Sequence, residues 1–524
     1  MPGTVAVRIA GAVERRAVRI FWMLVAVHVA GYFAVALAVH PTLPMDMSEV
    51  LTWGREWWPT YWKHPPLASW LLQAVYALGD RRIWPLYLVS PLCVALTYWA
   101  VWTLARDMVS DGLALLAVLP LMALRAYGFD SPDFQQTVAS YAFFALIPLL
   151  YWRALTAGRW WHWALLGLAG ALAMSTKYAV VPLLLAVLAF QLGHPRGRAT
   201  LSGAGLWLAL AVLAVALLPH GLAAWRDDFQ TFDTPAMIAP NAFHWWQHLA
   251  FPASFALRQM ANLSTGLAVV ALLWLDRRRA RPAADARFAD GFARTFVLWH
   301  LLAPLAVVFA YAAVAGLLPQ TSWTAPFLPL LGLAAIVLLR RRPAPRAVSA
   351  AFVLAIVLFG AGLAGYAAKT LLGPRLGADP VGPQFPGAAL AAAVEDGWAR
   401  IAPGRPMPTL IGSFRTAGRV SIYGKERYQV FVVGRAKRSP WIDAERVARE
   451  GALVLWFARD GLTTVDAADY WVPPWYDSLC IHGVIELPML SPVPAPPVRI
   501  AWASFGPPCG KPAVLPDVAR RVNK

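Results

Sequence analysis

The sequence predicts a polytopic α-helical membrane protein that carries a soluble α/β domain at its C-terminal end. Three observations lead there. Of 524 residues, 59% are hydrophobic and only 14% are charged, whereas a water-soluble chain carries about 25% charged residues. Mean hydropathy is +0.52, and apolar runs of spanning length recur until about residue 370 and then stop. The 26 tryptophans fit a bilayer too, since indole concentrates at the headgroup boundary.

A net charge of +18 would suit a nucleic-acid binder, but its distribution argues against one. The arginines cluster between apolar runs, as in Arg15-Arg16, Arg277-Arg278-Arg279 and Arg340-Arg341-Arg342. That is the pattern of topology signals rather than of a basic face interleaved with aromatics. No signal-peptide cleavage site follows the first apolar run, so that run is expected to be retained as a helix.

A spanning helix needs about 20 apolar residues, and about eleven candidates meet or approach that length. They lie near 18–40, 83–105, 111–127, 135–155, 161–176, 177–193, 203–220, 254–275, 293–316, 323–339 and 347–368. The two around Lys177 are short and abut, as if two short helices met at the outer interface. Placing the N-terminus in the cytosol puts most loop Lys and Arg inside, including Arg8 to Arg19, Arg196-Gly197-Arg198 and Arg340 to Arg346. An odd number of crossings then carries the C-terminus to the outside. The expected location is a bacterial inner (plasma) membrane, with the C-terminal domain in the periplasm. The expected domains are residues 1–369, membrane-embedded with a first outside loop at 41–82, and residues 370–524, soluble.

Past residue 370, Pro, Gly and charge rise. Residues 388–401 read as an amphipathic helix, and Thr409-Leu410-Ile411, Ala452 to Phe457 and Val498 to Trp502 read as strands. Cys93 falls inside a predicted membrane helix and reads as a small core residue. Cys480 and Cys509 both fall in the outside domain, an oxidising compartment, where they either form a disulfide or stay as two buried thiols. No Cys/His spacing suggests a zinc site.

The chemistry concentrates in the first outside loop. Asp46 and Glu49 stand three apart, one face of a helix, and Tyr61, Lys63, His64, Pro65 and Pro66 follow within the same excursion. Asp-x-x-Glu before an apolar run also reads as a capping box, and spacing alone does not separate the two readings. Acids and a cation kept at a membrane edge suggest contact with a substrate. His64 reads as a phosphate or sugar ligand or as a structural hydrogen-bonder. In the second outside loop, Asp130 and Asp133 read as a turn with a helix N-cap or as sugar or metal contacts. His244 and His248 stand at helical spacing. Lys63, Arg125, Lys177 and Arg258 all map to outer helix ends, where the positive-inside rule disfavours them. Each alone could be a snorkelling side chain; four together suggest an anion.

Asp46-x-x-Glu49, Trp53-Gly54 and Tyr61-x-Lys63-His64-Pro65-Pro66-Leu67-x-x-Trp70-Leu71 resemble the first outside loop of the GT-C glycosyltransferases. They are most similar to family 39 and its bacterial relatives, including the lipid A aminoarabinose transferases and rhizobial galacturonosyltransferases. Gly167 to Thr176, followed by Lys177-Tyr178, resembles the family's glycine-alanine helix with its terminal lysine-aromatic pair. The resemblance covers about residues 20–220, extended helical membrane sequence, and fades beyond. It implies transfer of a sugar from a polyprenyl-phosphate carrier to an acceptor hydroxyl on a glycolipid, glycan or protein, by inverting displacement. It implies Asp46 or Glu49 as the base; the family's leading acid is usually followed directly by Glu, whereas Met47 follows Asp46 here, so both stay candidates. Lys63 and Lys177, then Arg258 and Arg125, are expected to hold phosphate, with Tyr61, His64, Asp133 and Tyr178 as further substrate contacts. No metal is expected to be required, although Asp46, Glu49 and Asp133 are a conceivable divalent-ion set. The rival readings are a lipid or solute transporter, which predicts mid-membrane charge and internal repeats that the sequence lacks, and a scaffold working through residues 370–524.

Overall fold

The computed structural model describes residues 2–232, 241–274, 289–339, 342–377, 382–458, 479–506 and 509. Each expected apolar run meets a helix, but not every such helix is long and apolar enough to cross a membrane by itself. Among the described residues, seven helices are long and apolar enough to cross a membrane. They lie at Ala17–Val39, Trp84–Met108, Gln136–Ala157, Ala204–Arg226, Gln247–Trp274, Gly291–Ala315 and Pro345–Leu376. An eighth is counted if Thr321–Phe327 and Leu331–Leu339, bent by 51°, make one broken span.

In chain order the α-helices are α1 (Pro2–Arg15), α2 (Ala17–Val39), α3 (Met45–Gly54), α4 (Leu67–Leu78), α5 (Val89–Met108), α6 (Asp111–Ala123), α7 (Gln136–Ala157), α8 (Trp160–Thr176) and α9 (Val181–Gly193). After them come α10 (Pro195–Arg198), α11 (Ala204–Arg226), α12 (Gln247–Trp274), α13 (Gly291–Ala315), α14 (Leu331–Leu339) and α15 (Pro345–Leu372). The C-terminal region adds α16 (Gly387–Ile401), α17 (Ala417–Tyr423) and α18 (Ala444–Glu450). At 1.5 Å per residue, the 13 residues of α6 reach only about 20 Å, short of a roughly 30 Å hydrocarbon core. Every residue from Gly112 to Ala123 is buried, so its apolar composition reflects packing by other helices rather than lipid. The pair around Lys177 is present as expected: α8 stops at Lys177, whose backbone is extended, and a 3-10 turn, Tyr178–Val180, leads into α9.

The chain divides into two compact units. One comprises Met1–Ala36, Tyr87–Leu222 and Phe232–Tyr366; the other comprises Leu37–Leu86, Ala223–Thr231 and Ala367–Lys524. In the first, small residues let helix backbones approach closely, as membrane packing favours. A Cβ on Gly167 would overlap the Ala209 carbonyl, and one on Gly332 the Ala117 carbonyl.

The second unit is built on a five-stranded sheet of β1 (Thr409–Gly412), β2 (Val430–Val432), β3 (Ala452–Phe457), β4 (Cys480–Leu487) and β5 (Val498–Phe505), in the order β2-β1-β3-β5-β4. β1 is parallel to β2 and β3, while β5 is antiparallel to β3 and β4. All six β3 residues are buried, as a strand covered on both faces requires. Leu453, Leu455, Ile500 and Trp502 pack with Leu390, Val394 and Trp398 of α16. Val454, Trp456, Ala501 and Ala503 face Ile442 and Val447. A disulfide joins Cys480 to Cys509, and Cys93 is a free thiol.

The segment Leu37–Leu86, which carries α3 and α4, belongs to this second unit and is tied to its C-terminal part through backbone and side chain. Thr42 donates from its backbone N and from Oγ1 to Pro383 O, and from Oγ1 to Phe385 O at 2.9 Å. Leu43 N donates to Tyr423 Oη, and Arg419 Nη1 donates to Leu43 O at 2.7 Å. Tyr76 Oη donates to Ile422 O. A Cβ on Gly418 would come within 2.6 Å of Thr52 Oγ1, which places α17 directly on α3.

Candidate active site

α3 starts one residue before Asp46. Its N-cap is Pro44, with no side-chain capping bond, so Asp46 lies in the first helical turn and the acid pair does not form a capping box. Ser48 Oγ and Thr52 Oγ1 return their protons to Pro44 O and Ser48 O, which leaves the acids as the polar feature of the helix. The Glu49 side chain is 7% exposed, and Lys63 Nζ meets both its oxygens at 3.2 and 3.1 Å. Burial pushes the Glu49 carboxyl above its ordinary range; Lys63 opposes this, Asp46 adds to it, and Arg415 opposes it. A buried carboxyl held against one cation in this way is a common functional-site arrangement.

The residues around this pair are packed against one another. Tyr61 is buried, stacks on Trp53 with ring centroids 5.6 Å apart, and donates its hydroxyl to Trp53 O at 3.0 Å. It acts as a strut of the loop. His64 meets the edge of Trp53 at 6.0 Å, and its carbonyl accepts from Tyr61 N. Trp441 packs near Trp58 and Tyr61, and the Arg438 guanidinium stacks 4.4 Å over Trp62.

The other sequence candidates lie in the helical unit. Lys177 caps α8 and donates to Thr137 Oγ1. Tyr178 shares a 2.9 Å hydrogen bond with His220 and stacks on Phe232. Arg125 is 56% exposed and ion-paired with Asp130 at 2.8 Å, its guanidinium lying over Phe129. Asp133 is half-buried, and the N-cap of α7 is Gln135 rather than Asp133. Arg258 is exposed on α12, eleven residues after Gln247, about three turns into the helix and not at its end. His248 Nδ1 lies 2.6 Å from the Ala313 carbonyl. Among the described residues, no cluster of three or more His, Cys, Asp or Glu side chains is arranged to hold a metal ion. The structure thus brings Asp46, Glu49, Tyr61, Lys63 and His64 into one unit and puts Arg125, Asp133, Lys177, Tyr178 and Arg258 in the other.

Arg415 and Arg438 escaped sequence reading. Arg415 is 6% exposed, with Nη2 2.6 Å from Met45 Sδ. The only local signal is position: Arg415 follows β1 and Arg438 follows β2, at the carboxyl ends of parallel strands, where open α/β sheets place ligand contacts.

The model of the dolichyl-phosphate-mannose-protein mannosyltransferase family matches residues 63–222, which includes Lys63 and Lys177 and leaves Asp46 and Glu49 outside. A search of curated proteins returned no match. Among solved structures, ArnT from Cupriavidus metallidurans bound to undecaprenyl phosphate superposes with a TM-score of 0.58 at 14% identity, covering 95% of this chain and 99% of that one. Its apo form gives 0.57 at 15% identity, with coverages of 94% and 99%. The fold is that of the GT-C membrane glycosyltransferases.

Proposed function

We propose that the protein transfers a sugar from a polyprenyl-phosphate carrier to an acceptor hydroxyl by one inverting displacement. The observation that carries this reading is the Glu49–Lys63 pair one turn from Asp46 on α3, in a chain with the fold of a transferase crystallised with undecaprenyl phosphate. The two acids differ in accessibility. Glu49 is buried and held through both oxygens, and its role is to orient Lys63. Asp46 is only partly buried and takes the acceptor proton. Lys63 meets the phosphate as it leaves, stabilising charge that develops in the transition state. Lys177, in the motif that carries the family resemblance, is proposed as a further donor ligand, and Lys177→Ala is expected to raise the donor KM. The site faces the periplasm, and the acceptor is a glycolipid, glycan or protein.

The test is transfer of radiolabelled sugar from lipid carrier in vesicles. Asp46→Asn is expected to lower transfer by about 10²–10⁴, the usual worth of a general base, and labelled polyprenyl-phosphate sugar should accumulate. Wild-type transfer in both Asp46→Asn and Glu49→Gln would rule out this mechanism, and an unchanged label distribution in every variant would favour transport. Because Lys63 supplies the neutralising charge, EDTA is expected to leave the rate unchanged; loss of activity restored by a divalent ion would place a metal in the mechanism.

A further inference from the structure

Open α/β sheets hold ligands beyond the carboxyl ends of parallel strands, where connections leave in opposite directions. In this sheet β1 sits between β2 and β3 and is parallel to both. The loop after β1 carries Arg415, and the 3-10 turn after β2, Ala436–Arg438, carries Arg438. Both side chains end on the acid loop. Arg415 Nη2 lies 2.6 Å from Met45 Sδ, and Arg438 stacks over Trp62, next to Lys63. Met45 and Glu49 are four apart on α3 and share a face, so a guanidinium on Met45 lies along the face that carries the acids.

We propose that Arg415, assisted by Arg438, is a positioning residue that keeps the Asp46–Glu49 pair ionised and directed, so that the C-terminal domain is part of the catalytic apparatus. This rests on the transferase reading above. Two carboxylates on one helix face repel, and Asp46 adds to the rise of Glu49. Lys63 offsets this at rest, but in the proposed reaction it turns to the leaving phosphate. A cation must then remain against α3, and a guanidinium keeps its charge at any working pH. Arg415 lies close enough to Glu49 to favour its ionised form; burial and then Arg435 lower the Arg438 guanidinium from its ordinary value, and Glu49 opposes them. The groups facing Glu49 are Lys63 from the following loop, Asp46 from its own helix, and Arg415 and Arg438 from the connections that follow β1 and β2. The packed helix α4 carries no charged residue, and Arg419 of α17 donates to Leu43 O.

The experiment compares full-length wild type, Arg415→Gln and Arg415→Lys in vesicles, reading label transfer from the membrane's own radiolabelled polyprenyl-phosphate sugar pool across the acidic range. The acid limb of Arg415→Gln is expected to move up by about one pH unit, the usual effect of losing one nearby opposite charge. Arg415→Lys should restore it, with the donor KM unchanged. A limb that coincides with wild type overturns the proposal. Should Arg415→Gln fail to accumulate, the half-buried Arg438→Gln carries the same test with a smaller upward shift. A readout independent of turnover is the ionisation of Glu49 in infrared carboxyl difference spectra, assigned with Glu49→Gln. If wild type transfers no label, the transferase reading fails, while an upward shift of the Glu49 band in Arg415→Gln still supports the positioning role and an unmoved band removes it.

Discussion

Glu49 shows how one side chain links burial to activity. Its carboxyl titrates above the ordinary range because it is buried, so it takes up a proton at a higher pH than an exposed glutamate. Protonation releases Lys63. Transfer is therefore expected to fall on acidification while ordinary glutamates are still ionised, and a pH–rate profile of label transfer checks this; a limb at or below the ordinary glutamate range would count against it. The same shift has a consequence for stability. A folded-state pKa above the unfolded value stabilises the fold below the unfolded pKa, and that contribution is lost as pH rises through the folded pKa. At neutral pH the ionised Glu49 is thus a burden on the fold. Glu49→Gln is expected to abolish most transfer while leaving the thermal midpoint unchanged or raised, as thermal unfolding in detergent would show. At this scale the sequence revealed that acids and a lysine share the loop. It did not reveal that the Tyr61 hydroxyl is engaged by Trp53 O or that Arg125 pairs with Asp130, since such pairings depend on which groups burial brings within hydrogen-bond reach.

The elements that matter most are α3 and α17. Gly418 faces Thr52 with no room for a side chain, and Gly418→Val is expected to lift α17 from α3 and cost about 1–3 kcal/mol, the usual range for overpacking. Denaturation of purified protein measures this, and transfer should fall with it. In the helical unit, Gly332 meets the Ala117 backbone, whereas Gly360 has nothing within 4 Å of its Cβ position. Gly332→Leu should therefore fail to accumulate in the membrane, and Gly360→Ala should accumulate as wild type; immunoblots of membrane fractions decide. The apolar runs were legible as helices because hydrophobicity is a local property. Which of them are long enough to span was less so: α6 is apolar all round because other helices bury it, and lipid selects the same residues.

For the whole molecule, the disulfide closes a 29-residue separation in the domain that holds the acid loop. Cys480→Ser is expected to destabilise that domain by about 3–4 kcal/mol on loop-entropy grounds and to reduce transfer, measured by unfolding with and without reductant. The proposed orientation puts this domain on the oxidising side. A C-terminal alkaline phosphatase fusion should then be active, and an inactive fusion would reverse the topology.

The sequence by itself determined the membrane class, the apolar helices, the C-terminal α/β domain and the loop that holds Asp46, Glu49 and Lys63. These follow from composition and periodicity, which act over a few turns of chain. Only the tertiary structure decided that Lys63 closes on both oxygens of Glu49, and that Arg415, 370 residues from Met45 in sequence, lies against the same helix. Which buried cation meets which buried acid is settled by the packing of distant segments, and no local pattern of residues specifies it.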